Sequence, residues 1–141
     1  MKSDADAMRR ILVLGEDHAQ AEGISAALAA SGRASILAND TADAISRFEE
    51  RRPELVILHV DTDVSSALEM MLYARAHTEV PFVLVGGEVS TVVRVQWLEL
   101  GAIDYVTRPV SMLELVARAG AHLRVRAAAP TTCLPEYADA V

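Results

Sequence analysis

The sequence predicts an α/β domain built on a doubly wound, five-stranded parallel sheet, and three observations carry that expectation. Five short apolar runs alternate with five segments of helical period, the pattern of βα units around a sheet covered on both sides. The runs are continuous rather than alternating, as in ILVL at 11–14 and LVIL at 55–58, so neither face of these strands is suited to water. The 141 residues fall within the usual size of a single domain, which buries roughly two thirds of its unfolded surface.

The strands are expected at 11–14, 34–37, 55–58, 82–85 and 103–106. A first helix follows Asp17, buries Ala21, Ile24 and Leu28, and is ended by Gly32; a second begins near Thr41, buries Ile45 and Phe48, and stops at Pro53. Ser66-Ala67-Leu68-Glu69 has the form of a capping box and is expected to open a third helix, with Leu68, Met71 and Leu72 on one face. Ser111-Met112-Leu113-Glu114 has the same form and is expected to open a fifth, with Leu113, Val116, Ala117 and Leu123 inward. Between them a fourth helix runs from about Ser90 to Leu100 and closes at Gly101. Residues 1–8 are expected to be disordered, 9–127 to form the domain, and 128–141 to be a linker or disordered tail, because Ala127-Ala128-Ala129-Pro130-Thr131-Thr132 opens a stretch without period.

A net charge of −7 argues against a phosphate backbone or an anionic membrane as direct partner, since both select basic patches. The lone cysteine, Cys133, supports neither a disulfide framework nor a thiolate metal cluster. The start MKSDADAM is acidic and lacks an apolar core, and no run approaches the ~20 apolar residues that cross a bilayer. A cytoplasmic location is expected.

Chemistry in an open parallel sheet sits in the crevice outside the carboxyl ends of the strands. There the first strand offers Gly15, Glu16 and Asp17, the third His59 and Asp61, the fourth Gly86 and Gly87, and the fifth Arg108 and Pro109.

RRILVLGEDH, PELVILHV, VPFVLVGG and LGAIDYVTRPVSMLELVAR together resemble the receiver (CheY-like) domain of two-component response regulators, from about Arg9 to Arg126. The resemblance implies a flavodoxin-like (βα)5 fold with strand order 2-1-3-4-5 and a signalling protein; this chain itself is expected not to be an enzyme and to carry no cofactor. In that family two acidic residues after the first strand hold Mg²⁺, the third strand ends in the aspartate that accepts a phosphoryl group, the fourth in Ser or Thr, and the fifth in Lys-Pro. The metal neutralises the transferring oxygens, and the hydroxyl and ammonium then hold the product and reposition an aromatic on the fifth strand.

This chain departs at nearly every one of those positions. Gly15 replaces the first acid while Glu16 matches the second, His59 stands at the acceptor, Gly86 replaces the hydroxyl residue, and Arg108 replaces the lysine. Arginine keeps the charge but presents a planar fork instead of a compact ammonium. Tyr105 remains at the place of the switching aromatic. His59 has three readings: a structural imidazole bonded to Glu16 or Asp17 with Arg108 nearby, a Zn²⁺ or Mn²⁺ ligand with Glu16, Asp17 or Asp61, or a phosphohistidine or pH sensor. The first is the working expectation, with no metal. Arg108 and the amides around Gly86 and Gly87 form a candidate anion site, or simply a turn.

Arg94, Asp104, Glu114 and Arg118 match positions used for intermolecular ion pairs in the OmpR- and PhoB-like branch, which implies a homodimer through the fourth helix, fifth strand and fifth helix. The alternative is that Glu114 and Arg118 pair along their own helix. Trp97 on the fourth helix is either core or an anchor of that interface. The expected function is a pseudo-receiver that signals by protein contact or dimerisation to a partner or a downstream output domain. A sensor of a small ligand or metal in the degenerate pocket, and a residual phosphorelay through Asp61 or Asp63, are the alternatives.

Overall fold

The computed structural model describes residues 11–15, 18–60, 64–77 and 79–128. The expectations for residues 1–8, Glu16, Asp17, Asp61, Asp63 and the tail from 129 onward lie outside the described residues. Five strands and five helices alternate among the described residues: β1 (Ile11–Leu14), α1 (His18–Ala30), β2 (Ser35–Ala38), α2 (Thr41–Arg51), β3 (Leu55–Val60), α3 (Val64–His77), β4 (Phe82–Gly86), α4 (Thr91–Glu99), β5 (Ala102–Thr107) and α5 (Met112–Ala128). The strands form one parallel sheet in the order β2-β1-β3-β4-β5. This is the flavodoxin-like α/β receiver fold that the sequence predicts.

Central β3 is buried at all six positions, which is why its sequence is an unbroken apolar run up to His59. Alternate residues feed two cores. Leu12, Val56, Leu58 and Leu84 meet α2, α3 and α4 on one face, whereas Val13, Ile57, Val83 and Val85 meet α1 and α5 on the other. Each fully buried side chain of this size contributes roughly 1.5–3 kcal/mol.

The helix ends are fixed by local chemistry. Asp40 caps α2 by accepting the Asp43 N–H at 2.8 Å, and Ser90 caps α4 by accepting the Val93 N–H at 3.3 Å. Gly32 and Gly101 follow α1 and α4 with φ of 85° and 123°, left-handed backbone that favours glycine. Ser111 accepts the Glu114 N–H at 3.2 Å and so caps α5 as expected.

Several helical details differ from the sequence reading. Helix α3 begins at Val64, placing Ser66 inside its first turn instead of at the cap. Its inward row is Ala67, Met70, Met71 and Ala74; Leu68 packs at the edge and Leu72 is 49 % exposed. In α5 the inward row is Leu115, Ala119 and Leu123, while Leu113 is 85 % exposed and Ala117 is also exposed. Rows spaced by four residues pack against the sheet, and apolar residues one position out of phase are turned to solvent. In α2 the fully buried position is Ala44, with Ile45 packed partly against the same core.

The phase of α5 yields a direct test. Leu115→Ala should cost about 2–5 kcal/mol of unfolding free energy, as deletion of a fully buried leucine does. Leu113→Ala should stay within about 0.5 kcal/mol of the parent. Urea denaturation of the two variants measures both, and similar losses would place Leu113 in the core.

Candidate functional site

The crevice is set by where the strands stop. β3 extends one residue beyond His59, the ladder pairs His59 with Val85 and Val60 with Gly86, and the next ladder pairs Gly86 with Thr107. His59, Gly86 and the turn into Arg108 therefore come to one end of the sheet. The Arg108 N–H donates to the Gly86 carbonyl at 2.8 Å, and the Arg108–Pro109 peptide is cis.

His59 is 8 % exposed and is the one buried polar residue among the described residues. Its ring lies against Gly15: a Cβ built there would stand 3.3 Å from both Cβ and Cγ of the histidine. The imidazole thus occupies the side of β3 into which a side chain at position 15 would project. It borders two depressions. One, of about 300 Å³, includes Gly15, Asp40, Thr41 and Ser66; the other, of about 230 Å³, includes Gln20, Gly23, Val85 and Arg108.

Mg²⁺ requires a near-octahedral shell of oxygen ligands. The described ends of β1 and β3 present a glycine and, pressed onto it, an imidazole. These residues do not fit that ion. Among the described residues no three His, Cys, Asp or Glu side chains converge as a metal site.

At the end of β4 the packing is tighter. A Cβ at Gly86 would stand 2.5 Å from the Tyr105 hydroxyl and 2.8 Å from the Val60 carbonyl oxygen, distances that real Cβ atoms do not adopt. The Tyr105 hydroxyl occupies the space a side chain at 86 would need, and donates to the Gly87 carbonyl at 2.9 Å. Tyr105 is 8 % exposed. Arg94 of α4 lies over its ring at 5.7 Å from the centroid, with the Arg94 Nε buried and without a hydrogen-bond partner. The aromatic is held from the hydroxyl end and from the ring face. Arg108 leans over the adjacent Gly87, its Nη2 lying 3.6 Å from where a Cβ there would be.

The outer face of α4, β5 and α5 carries the charged residues singled out in the sequence, and three of them pair within the chain. Arg118 donates to Asp104 at 3.1 Å and to Glu114 at 2.9–3.0 Å, and His122 contacts Asp104 at 3.1 Å. The helix-internal pairing of Glu114 with Arg118 is therefore present. Arg94 turns toward Tyr105 instead of joining them. Trp97 is 5 % exposed and belongs to the core, so it is not an exposed anchor. On α4 and β5 the apolar side chains that face outward are Val92, Val95, Leu98 and Ile103, exposed by 40–67 %.

His122 escaped the sequence reading, although its spacing signals it: Glu114, Arg118 and His122 recur every four residues along one face of α5. Gln20 also escaped it. Its Oε1 is buried without a partner beside the smaller depression, and nothing in the apolar period of α1 marks it.

Burial alone would raise the Asp104 carboxyl, but hydrogen bonds from His122 and Arg118 outweigh it and hold the group below the ordinary carboxylate value. A depressed folded-state value means that the stabilisation is complete above the unfolded value of about 3.9 and is lost as pH falls through the folded value. Asp104→Asn should therefore lower the urea midpoint at neutral pH, and its gap from the parent should close as pH drops below about 4. A gap that persists unchanged at pH ~3 would contradict the carboxylate's part in it.

The response regulator receiver domain model matches residues 11–120. The DNA-binding response regulator MtrA of Mycolicibacterium smegmatis is 37 % identical over 120 residues, 84 % of this chain and 53 % of that protein. The sensory transduction protein RegX3 of the same species is 32 % identical over 117 residues, 83 % of this chain and 51 % of its own length. The chain thus spans about half the length of the curated relatives it matches. Among solved structures, a two-component response regulator from Clostridium difficile superposes with a TM-score of 0.76 at 21 % identity, covering 83 % of this chain and 97 % of that one. A CheY-like receiver domain from Methanospirillum hungatei gives 0.74 at 20 % identity, covering 82 % and 94 %. At such identities the structures speak for the fold alone. No helix among the described residues is long and apolar enough to cross a membrane.

Proposed function

The chain belongs to the response regulator receiver family, and from that premise we propose that it is a receiver working without an aspartyl-phosphate cycle, through protein contacts of its α4–β5–α5 face. The observation that carries this reading is the Tyr105 hydroxyl standing in the space a side chain at Gly86 would need. A phosphorylated receiver needs a hydroxyl at that strand end to grip the product and an aromatic free to respond. Here the hydroxyl residue is a glycine, and the aromatic is already turned in and bonded to Gly87.

The acceptor side supports the same conclusion. An imidazole at position 59 cannot form an acyl phosphate, and its ring crowds the space beside Gly15 into which a metal-binding acid would project. Arg108 supplies charge without the compact ammonium.

The proposed partner is a second copy, with the state of the face passed to a partner protein or to an output region in a longer polypeptide. The MtrA relatives are named as DNA-binding regulators, and a DNA-binding output is the version of this scheme they favour. Because Arg118 already pairs within its own chain, association would rest mainly on Val92, Val95, Leu98 and Ile103. Exposed ion pairs contribute only about 0–1 kcal/mol each and add specificity more than affinity.

A second reading, a sensor of a small ligand beside His59, is favoured by one observation: the Gln20 Oε1 is buried and unpartnered next to a depression of about 230 Å³. A ligand or an ordered water donating to that oxygen would satisfy it.

Incubation with acetyl phosphate and Mg²⁺, followed by intact mass and sedimentation velocity, tests the proposal. No phosphoryl adduct and an unchanged sedimentation profile are expected. A stoichiometric adduct that disappears in Asp61→Asn would establish a residual relay instead.

A further inference from the structure

A glycine in the interior of α5 points to a second, unassigned site on the far side of the molecule. Gly120 is buried, and glycine in a helix interior costs about 1 kcal/mol relative to alanine. A Cβ there would meet the Nη2 of Arg33 at 3.1 Å, the Nη1 of Arg124 at 3.5 Å and the Nε of Arg33 at 3.6 Å. The missing side chain therefore seats two guanidinium groups from different elements on one spot.

Several other described arginines are engaged. Arg47 pairs with Asp43, Arg118 with Asp104 and Glu114, and Arg75 and Arg126 donate to the carbonyls of Leu100 and Glu79. Among the described residues, neither the Arg33 nor the Arg124 guanidinium has a hydrogen-bond or ion-pair partner. In a chain of net charge −7, with 20 acidic residues for 13 basic ones, two neighbouring cations with no ion pair among the described residues are conspicuous.

Arg33 is also positioned by the backbone. Gly32 takes left-handed φ at the end of α1, and the Arg33 N–H donates back to the Leu28 carbonyl at 2.9 Å, fixing where its half-buried side chain leaves the chain. The carbonyls at the end of α1 attract one cation. They do not account for a second one delivered by α5.

We propose that Arg33 and Arg124, seated on Gly120, form a binding site for a phosphate group. Two guanidinium groups held together repel each other unless an anion lies between them, and a phosphate group carries about −1.5 to −2 charges at neutral pH. It carries more charge and more acceptor oxygens than a carboxylate, so it can face two guanidinium forks with bidentate bonds to each. Occupation would tie the start of β2 to the outgoing half of α5. The site shares no residue with the depressions beside His59, the smaller of which is lined at the other ends of α1 and α5.

Titration of the 141-residue chain with inorganic phosphate, followed by heteronuclear NMR and compared with chloride at equal ionic strength, tests it. Saturable shifts of the Gly120 amide and of the Arg33 and Arg124 Nε–H signals are expected. Arg33→Gln and Arg124→Gln should each weaken binding by about tenfold, the loss of one charge-assisted contact. Both side chains are at least partly exposed, and unchanged melting of the phosphate-free variants would confirm that they remain folded. Acetate should bind more weakly than phosphate. Absence of saturation, an undiminished response in the double variant, acetate binding as tight as phosphate, or shifts confined to Gly86, Gly87 and Arg108 would each overturn the assignment.

Discussion

Position 86 has room for no side chain, because the Tyr105 hydroxyl and the Val60 carbonyl close in on it to 2.5 and 2.8 Å of any Cβ. The rest of the crevice is organised around that constraint. With its hydroxyl bonded to Gly87, the tyrosine ring is fixed in the core under α4, and Arg94 is drawn over it. The other side of the crevice repeats the arrangement, where Gly15 receives the ring of His59. In both places a glycine on one strand accommodates a ring from another. At both positions the ring takes space that a side chain on the glycine would otherwise approach.

The same packing decides what the α4–β5–α5 face presents. Trp97 and Tyr105 point into the core and Arg94 turns to the tyrosine, so α4 shows Val92, Val95 and Leu98 to solvent beside Thr91, Gln96 and Glu99. On α5, Arg118 bridges Asp104 and Glu114, and His122 adds a second contact to Asp104. These charges brace α5 against the edge strand. A partner that used them would have to exchange one set of ion pairs for another, with little net gain, which shifts the burden of recognition onto Val92, Val95, Leu98 and Ile103.

The fold was legible because its signals are local and redundant. Short apolar runs marked all five strands, unbroken in β1, β3 and β4 and interrupted by Ser35 and Asp104 in β2 and β5, with β1 exact and the others within two residues at either end, and Ser90, Gly101 and Ser111 marked helix ends. Helix phase was less legible: Leu113 and Leu72 are apolar yet exposed, and composition alone does not say which of two neighbouring leucines a helix turns inward. Ser66 shows the limit of a four-residue motif, since Ser-x-x-Glu caps a helix only where the serine backbone is non-helical. At the site, the sequence identified His59, Gly86 and Tyr105 separately. It could not show that the tyrosine occupies the glycine's missing volume, because that contact joins residues 19 apart on adjacent strands and depends on three-dimensional packing.

The central claim is that Tyr105 has one position, set by Gly86. Fluorine NMR of the chain labelled with 3-fluorotyrosine, with the Tyr105 signal assigned from Tyr105→Phe, measures this most directly. A single Tyr105 resonance, unchanged by beryllofluoride and Mg²⁺, is the predicted result. Two resonances in exchange, or a saturable shift of the Tyr105 signal on adding beryllofluoride, would show a working switch and contradict the account.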